Sequence, residues 1–125
     1  MENAKTVLAI DDNLVQLDLF QKILTPKYNV QPAKSASDAL SFLNANKVDV
    51  ILLDIEMPNI NGFVFLYDIR KIPSYMNVPI IIVSGNTGKD FFDQAKNSSA
   101  FDVLTKPVKK EVLIEVIEKA LAMVN

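Results

Sequence analysis

The feature that most constrains the fold is the stretch from residue 48 to residue 58, which reads VDVILLDIEMP. Its centre is an almost wholly apolar run rich in β-branched residues, typical of a strand buried on both faces inside a parallel sheet. The run ends on Asp54, and a carboxylate there is costly unless it is paired, bound to a metal or solvated. Asp54 is therefore either a cap or turn residue, roles that suit Asp, or part of a functional site.

The rest of the chain alternates between predicted strands and helices. The other strands are expected over residues 6–10, 29–33, 78–83 and 101–105. Helices are expected after Asn13 (ending at Pro26), after Ser35 or Ser37, after the loop 57–62, over 90–96, and from about Val108 onward. This alternation predicts a doubly wound α/β sheet with helices on both faces. Ligands of such sheets bind beyond the carboxyl ends of the strands.

The apolar spacing also predicts which side chains face the core. The third helix is expected to turn Phe63, Leu66 and Ile69 inward. In the last helix the expected inner positions are Val112, Leu113, Val116, Ile117, Ala120 and Leu121. Phe91 and Phe92 are adjacent, so one helix cannot bury both on a single inner stripe, and either one is an exposed partner contact or the helix tilts.

The composition excludes several classes of function. The chain has 125 residues, enough for one domain, and 13 basic against 15 acidic residues give a net charge of −2. With no excess of positive charge, nucleic-acid binding is not expected. Because cysteine and histidine are absent, thiol or Ser-His catalysis and most zinc sites are excluded. Without a signal peptide or an apolar run of about 20 residues, we expect a cytoplasmic protein with no membrane segment.

Polar side chains stand where four of the five predicted strands end. Asp11 and Asp12 end the first, Asp54 the third, Ser84 the fourth and Lys106 the fifth. Three carboxylates at one edge of a sheet repel one another unless a cation lies between them. Because only oxygen donors are available, that cation should be Mg²⁺, or Mn²⁺ in its place. Such a site commonly holds a phosphoryl group, to which Lys106 and Ser84 could bind.

Over essentially its whole length the chain resembles the receiver domain of two-component response regulators, a chemotaxis-regulator-like family. The residues that carry the resemblance are Asp11-Asp12, Asp54 with Met57-Pro58 and Gly62 behind it, Ser84, and Lys106-Pro107. The resemblance implies a flavodoxin-like, five-stranded parallel sheet in the order 2-1-3-4-5 with five helices. It also implies that residues 1–125 form a single receiver domain without an output domain.

The same resemblance implies a set of residue roles. Asp54 would accept a phosphoryl group from a phosphohistidine donor, and the site would slowly hydrolyse the resulting acyl phosphate. Mg²⁺ would be held by Asp12, Asp54 and the backbone carbonyl of Glu56, with Asp11 acting through water. Ser84, the backbone N–H of Gly85, and Lys106 would hold phosphoryl oxygens. The implied partners are a histidine kinase or phosphotransfer protein and an unidentified target reached by protein–protein contact, with the chain a monomer or weak dimer.

The chain departs from the family pattern at three positions. Val103 stands where Tyr or Phe is usual, Gly85 where Ala is more usual, and Val108 where Phe is common. Val103 is stiff at χ1 and too short to act as the family's aromatic switch. Either another group fills the space that the aromatic side chain would take, for which Phe101 is a poor candidate, or the readout runs through the segment 84–96. We expect the second.

A second class of function, a small α/β phosphatase or phosphotransferase acting on metabolites, also fits a strand-ending aspartate. Phosphatases of the haloacid type carry a second Asp two residues after the first, and that position here is Glu56. Gly85 and Gly88 only superficially suggest a phosphate loop, because that motif needs wider spacing and a Ser or Thr where Asp90 stands. We favour the signalling module; phosphate retained on the protein, rather than metabolite turnover, distinguishes the two classes.

Overall fold

The computed structural model describes residues 4–123, in which five parallel strands form one sheet in the order β2-β1-β3-β4-β5. The strands are β1 (Thr6–Ile10), β2 (Asn29–Ala33), β3 (Val50–Asp54), β4 (Ile80–Ser84) and β5 (Asp102–Thr105). The helices are α1 (Leu14–Leu24), α2 (Ala36–Ala45), α3 (Gly62–Arg70), α4 (Lys89–Lys96) and α5 (Lys110–Met123). The predicted flavodoxin-like fold, strand order and number of α-helices are confirmed. A short 3-10 helix, Pro73–Tyr75, was not predicted.

The sheet separates two apolar cores because alternate residues of each strand point to opposite faces. One core lies under α2, α3 and α4 and contains Ile10, Ile51, Leu53, Ile82 and Phe91. The other lies under α1 and α5 and contains Val7, Leu52, Val83, Leu113 and Ile117. Every residue of β3 and of β4 is buried, which explains their unbroken apolar runs. Within residues 4–123, no helix is both long and apolar enough to cross a membrane.

Side-chain caps set the starts of three helices. The Asn13 side chain accepts hydrogen bonds from the backbone N–H groups of Val15 and Gln16 at the start of α1. Ser35, not Ser37, caps α2, and Asn61 caps α3. Each cap satisfies backbone donors that have no partner inside the helix, so these polar residues fix where the chain leaves the sheet edge.

The inner faces of two helices differ in part from the prediction. In α5 the buried positions are Leu113, Val116, Ile117 and Ala120, whereas Val112 is 40% exposed. In α3 the buried stripe is Gly62, Phe65, Leu66 and Ile69, and Phe63 is only half-buried. Both stripes follow the spacing i, i+3, i+4, i+7, and Val112 and Phe63 lie just outside them. The predicted starts of α5 near Val108 and of β4 at Val78 were also two residues early.

Gly62 lies where the start of α3 passes close to the end of β3. A Cβ atom at this position would lie 2.5 Å from the backbone oxygen and 2.6 Å from the Cα of Ile55. Backbone atoms cannot move aside as a flexible side chain can, so this position needs glycine.

We therefore expect Gly62→Ala to lower the free energy of unfolding by about 1–3 kcal/mol through overpacking, measured by chemical denaturation. The matched control is Gly85→Ala, because a Cβ at Gly85 meets nothing within 4 Å. The control should change stability by less than about 1 kcal/mol. Equal effects of the two substitutions would contradict the close-approach explanation.

Candidate functional site

Three carboxylates meet at the carboxyl edge of the sheet because β1 and β3 are direct neighbours. Ile10 pairs with Leu53 in the parallel register, so the residues that follow them end side by side. One carboxylate oxygen from each of Asp11, Asp12 and Asp54 lies within 4.8 Å of the other two. Asp11 and Asp54 are buried and Asp12 is exposed.

Lys106 reaches this acidic cluster from the end of β5. Its backbone N–H donates to the carbonyl of Ser84 at 2.8 Å, which continues the pairing of β4 with β5. Its Nζ lies 3.0 Å from Asp11 Oδ2 and 3.5 Å from Asp54 Oδ2. The peptide bond from Lys106 to Pro107 is cis. The ammonium group thus bridges the two buried carboxylates.

The electrostatics of the cluster follow from burial and from the neighbouring charges. The pKa of Asp54 is raised from 3.8 to about 6. Burial is the largest cause and the charge of Asp11 adds to it, while the hydrogen bond from the Glu56 N–H and the charge of Lys106 oppose it. Burial lowers the pKa of Lys106, but its hydrogen bond to Asp11 and the charges of Asp54 and Asp11 outweigh this and raise that pKa overall. One lysine therefore leaves the cluster short of positive charge.

The donor set fits a hard divalent cation. The acidic cluster offers carboxylate oxygens and no nitrogen or sulfur ligand, a chemistry that favours Mg²⁺ or Mn²⁺. The backbone N–H of Glu56 donates to Asp54 Oδ1 at 3.0 Å, so the loop after β3 is folded back against the carboxylate. The fold thus provides an acidic pocket with the ligand chemistry of a magnesium site.

Ser84 lies at the end of β4, beside Asp54, because Asp54 pairs with Val83. Its buried hydroxyl donates to Glu56 Oε1 at 2.8 Å and accepts the backbone N–H of Asn86 at 3.0 Å. The sequence analysis gave Glu56 a backbone role and compared its position with the second Asp of haloacid-type phosphatases, but it did not predict this side-chain contact. The only signal for it was the adjacency of the ends of β3 and β4, which indicates proximity but not a side-chain rotamer.

The remaining residues singled out from the sequence lie around the cluster. Gly85 is exposed and has open space at its Cα, and the backbone N–H of Asn13 donates to Asp11 Oδ1 at 2.9 Å. Val103 is half-buried and packs against the core under α2, α3 and α4. Phe91 is buried in that core, whereas Phe92 is 36% exposed. Asn13 was predicted only as a helix cap, and it also orients Asp11.

Known proteins resemble the chain in sequence. The family model described as the response regulator receiver domain matches residues 7–118. Protein PilH of Pseudomonas aeruginosa is 31% identical over 117 residues, which are 93% of this chain and 97% of PilH. The sensor histidine kinase CheAY of Helicobacter pylori is 32% identical over 120 residues, which are 94% of this chain but 15% of CheAY. The chain thus spans nearly all of one relative and a small part of another.

A solved structure agrees with the sequence matches. The chemotaxis protein CheY4 of Vibrio cholerae superposes with a TM-score of 0.88 at 28% identity, over 94% of this chain and 99% of CheY4. The sheet order and the acidic pocket at its carboxyl edge agree with that likeness. On the match to residues 7–118, the chain belongs to the family of response regulator receiver domains of two-component signalling.

Proposed function

We propose that this receiver domain accepts a phosphoryl group on Asp54 from a phosphohistidine of a histidine kinase or phosphotransfer protein, and that it then signals by protein–protein contact. The observation that carries the proposal is the convergence of Asp11, Asp12 and Lys106 on the buried carboxylate of Asp54. A lone structural aspartate would not need two further carboxylates and a lysine around it.

In the proposed reaction an oxygen of the Asp54 carboxylate attacks phosphorus while the phosphorus–nitrogen bond of phosphohistidine breaks. The imidazole nitrogen keeps the electron pair, and the product is an aspartyl phosphate. Lys106 lies beside Asp54 Oδ2 and would pair with a phosphoryl oxygen. The Ser84 hydroxyl and the Gly85 N–H would bind the others. In a separate step, water attacking phosphorus would break the bond between phosphorus and the Asp54 oxygen, release inorganic phosphate and slowly restore the carboxylate.

The proposed metal ligands are Asp12, Asp54 and the backbone carbonyl of Glu56, with Asp11 acting through water. When bound, Mg²⁺ would neutralise the charge that gathers on the transferring phosphoryl group. The protein's own contribution is to hold the carboxylates in place: Asp11 is oriented by the N–H of Asn13 and Asp54 by the N–H of Glu56. Mn²⁺ would serve with the same oxygen ligands.

The alternative, an enzyme acting on a metabolite, has less support. Cavities of about 450 and 490 Å³ lie at the amino-terminal edge of the sheet, lined by residues such as Pro79, Phe101 and Asp49, and not at Asp54. The Glu56 carboxylate, which stands where a haloacid-type phosphatase has its acid/base, is hydrogen-bonded to Ser84. The signalling module therefore remains the better proposal.

The first prediction from this proposal is that Asp54 is the sole site of phosphate uptake. With Mg²⁺ and acetyl phosphate, intact-mass spectrometry should show one added phosphate on the wild type and none on Asp54→Asn. The matched control is Asp38→Asn, an exposed aspartate of α2, which should be phosphorylated like the wild type. A chelator should abolish uptake because the carboxylates would otherwise repel the phosphoryl group. Equal uptake by Asp54→Asn would overturn the assignment.

The second prediction concerns metal affinity. Among residues 4–123, Asp12 has no hydrogen-bond or ion-pair partner, whereas Asp11 is already engaged by Lys106 and Asn13. Loss of a free, direct ligand should cost more than loss of a water-mediated one. We therefore expect Asp12→Ala to weaken Mg²⁺ binding more than Asp11→Ala does, by titration calorimetry. The reverse order would mean that the two roles are exchanged.

The third prediction is a pH dependence of stability in the metal-free protein. The pKa of Asp54 is raised from 3.8 to about 6 in the folded state. The contribution of the protonated Asp54 carboxyl group to the free energy of unfolding is therefore fully present below about pH 4 and is lost as the pH rises through about 6. Asp54→Asn removes this titration. The free energy of unfolding of the variant should therefore exceed that of the wild type by near zero at pH 4 and by about 3 kcal/mol at pH 7, measured by chemical denaturation at each pH. A gain that stays constant across that range would contradict the raised pKa.

A further inference from the structure

The hydrogen bond between Glu56 and Ser84 joins the loop that follows Asp54 to the end of the neighbouring strand β4. Ser84 Oγ lies 2.8 Å from Glu56 Oε1, although the residues are 28 positions apart in the chain. We propose that the Glu56 side chain is a latch that keeps the Ser84 hydroxyl from the phosphoryl group until Asp54 is phosphorylated. This inference rests on the proposed function and adds a positioning residue to it.

The hydrogen-bonding capacity of serine makes the two states exclusive. A hydroxyl has one proton to donate, and in Ser84 that proton goes to Glu56. The same oxygen accepts the backbone N–H of Asn86 at 3.0 Å. Ser84 therefore cannot donate to a phosphoryl oxygen on Asp54 without first releasing the Glu56 carboxylate. Since the acceptor is charged, this bond is stronger than one between neutral groups.

Phosphorylation would release the latch electrostatically. A phosphoryl group on Asp54 adds negative charge next to the loop that carries Glu56, so it repels the Glu56 carboxylate and competes for the Ser84 proton. Glu56 is exposed, so its side chain has room to turn toward solvent. Its backbone carbonyl, the proposed metal ligand, can stay in place while the side chain moves.

The latch connects to the segment that we expect to switch. Asn86 donates its N–H to Ser84 Oγ, and its side chain accepts the N–H of Gly88 at 2.8 Å. Gly88 is the cap residue of α4, so Ser84, Asn86 and Gly88 form a continuous chain of hydrogen bonds from the site to this helix. A change of partner at Ser84 therefore has a direct route to α4 that does not involve Val103.

The test compares three substitutions of Glu56 that separate charge from reach. Glu56→Ala removes both the negative charge and the hydrogen-bond acceptor, and Glu56→Gln keeps an acceptor oxygen without the charge. Glu56→Asp keeps the charged carboxylate on a side chain that is one methylene shorter, too short to reach Ser84. At saturating Mg²⁺, affinity for the phosphoryl mimic beryllofluoride is measured by NMR titration. We expect Glu56→Ala and Glu56→Asp each to bind about tenfold tighter than the wild type, equivalent to about 1.4 kcal/mol, and Glu56→Gln to lie between. If Glu56→Asp binds like the wild type, charge alone acts and the latch is wrong.

A double-mutant cycle with Ser84→Ala checks that the effect passes through the hydroxyl. In the Ser84→Ala background, Glu56→Ala should no longer tighten binding, because no proton remains to be released. An undiminished tightening in that background would overturn the proposal. The matched control is Glu111→Ala, an exposed glutamate in the first turn of α5, which should leave affinity unchanged.

A readout without metal or phosphoryl mimic separates failure of the latch from failure of the proposed function. In the unliganded protein, Glu56→Asp should shift the amide resonances of Asn86 and Gly88, and Glu111→Asp should not. If these amides do not move, the hydrogen bond is not formed and the latch is overturned, whatever Asp54 does. If the wild type fails to bind beryllofluoride, phosphoryl acceptance by Asp54 is contradicted. If the wild type binds and the Glu56 variants bind with the same affinity, the latch alone is contradicted.

Discussion

The rest of this structure depends on one constraint, the close approach of three carboxylates at the carboxyl edge of the sheet. Asp11 and Asp54 are almost fully buried and have a single lysine, Lys106, between them. Burial without enough compensating charge raises the pKa of Asp54 and costs stability, so the surroundings must hold this carboxylate in place. The sheet supplies that rigidity: β3 and β4 are buried along their whole length and fix where each polar residue ends.

That arrangement supports the proposed response to phosphorylation. The acidic pocket is short of positive charge in the state described here, so a divalent cation and a phosphoryl group would each change the balance strongly. The residues that would respond are already in contact with one another: Lys106 forms ion pairs with both buried carboxylates, and Ser84 is hydrogen-bonded to Glu56. Small movements at the site would thus exchange one set of charge-assisted hydrogen bonds for another.

The loop after β4 is suited to transmit such an exchange. Residues 85–90 are exposed, and the loop is held to the site through Asn86. Val103 is half-buried and packed against the core, and its β-branched side chain is stiff at χ1. The departure from the family's usual aromatic residue and the hydrogen bonds around Ser84 both favour a route through α4.

The sequence by itself determined the elements that rest on local patterns. The alternation of strand and helix patterns predicted all five strands and a doubly wound sheet, and the residues that end four of those strands predicted which side chains meet at the carboxyl edge. The strand order, which makes β1 and β3 neighbours, was implied only by the family resemblance. The inner faces of α3 and α5 were predicted only in part, because Phe63 and Val112 lie at the margins of their stripes and burial there depends on how each helix sits on the sheet. The hydrogen bond from Ser84 to Glu56 joins residues that are 28 positions apart and depends on the rotamer of an exposed side chain. Local sequence patterns do not specify such a contact, which forms only when β3 and β4 pack side by side.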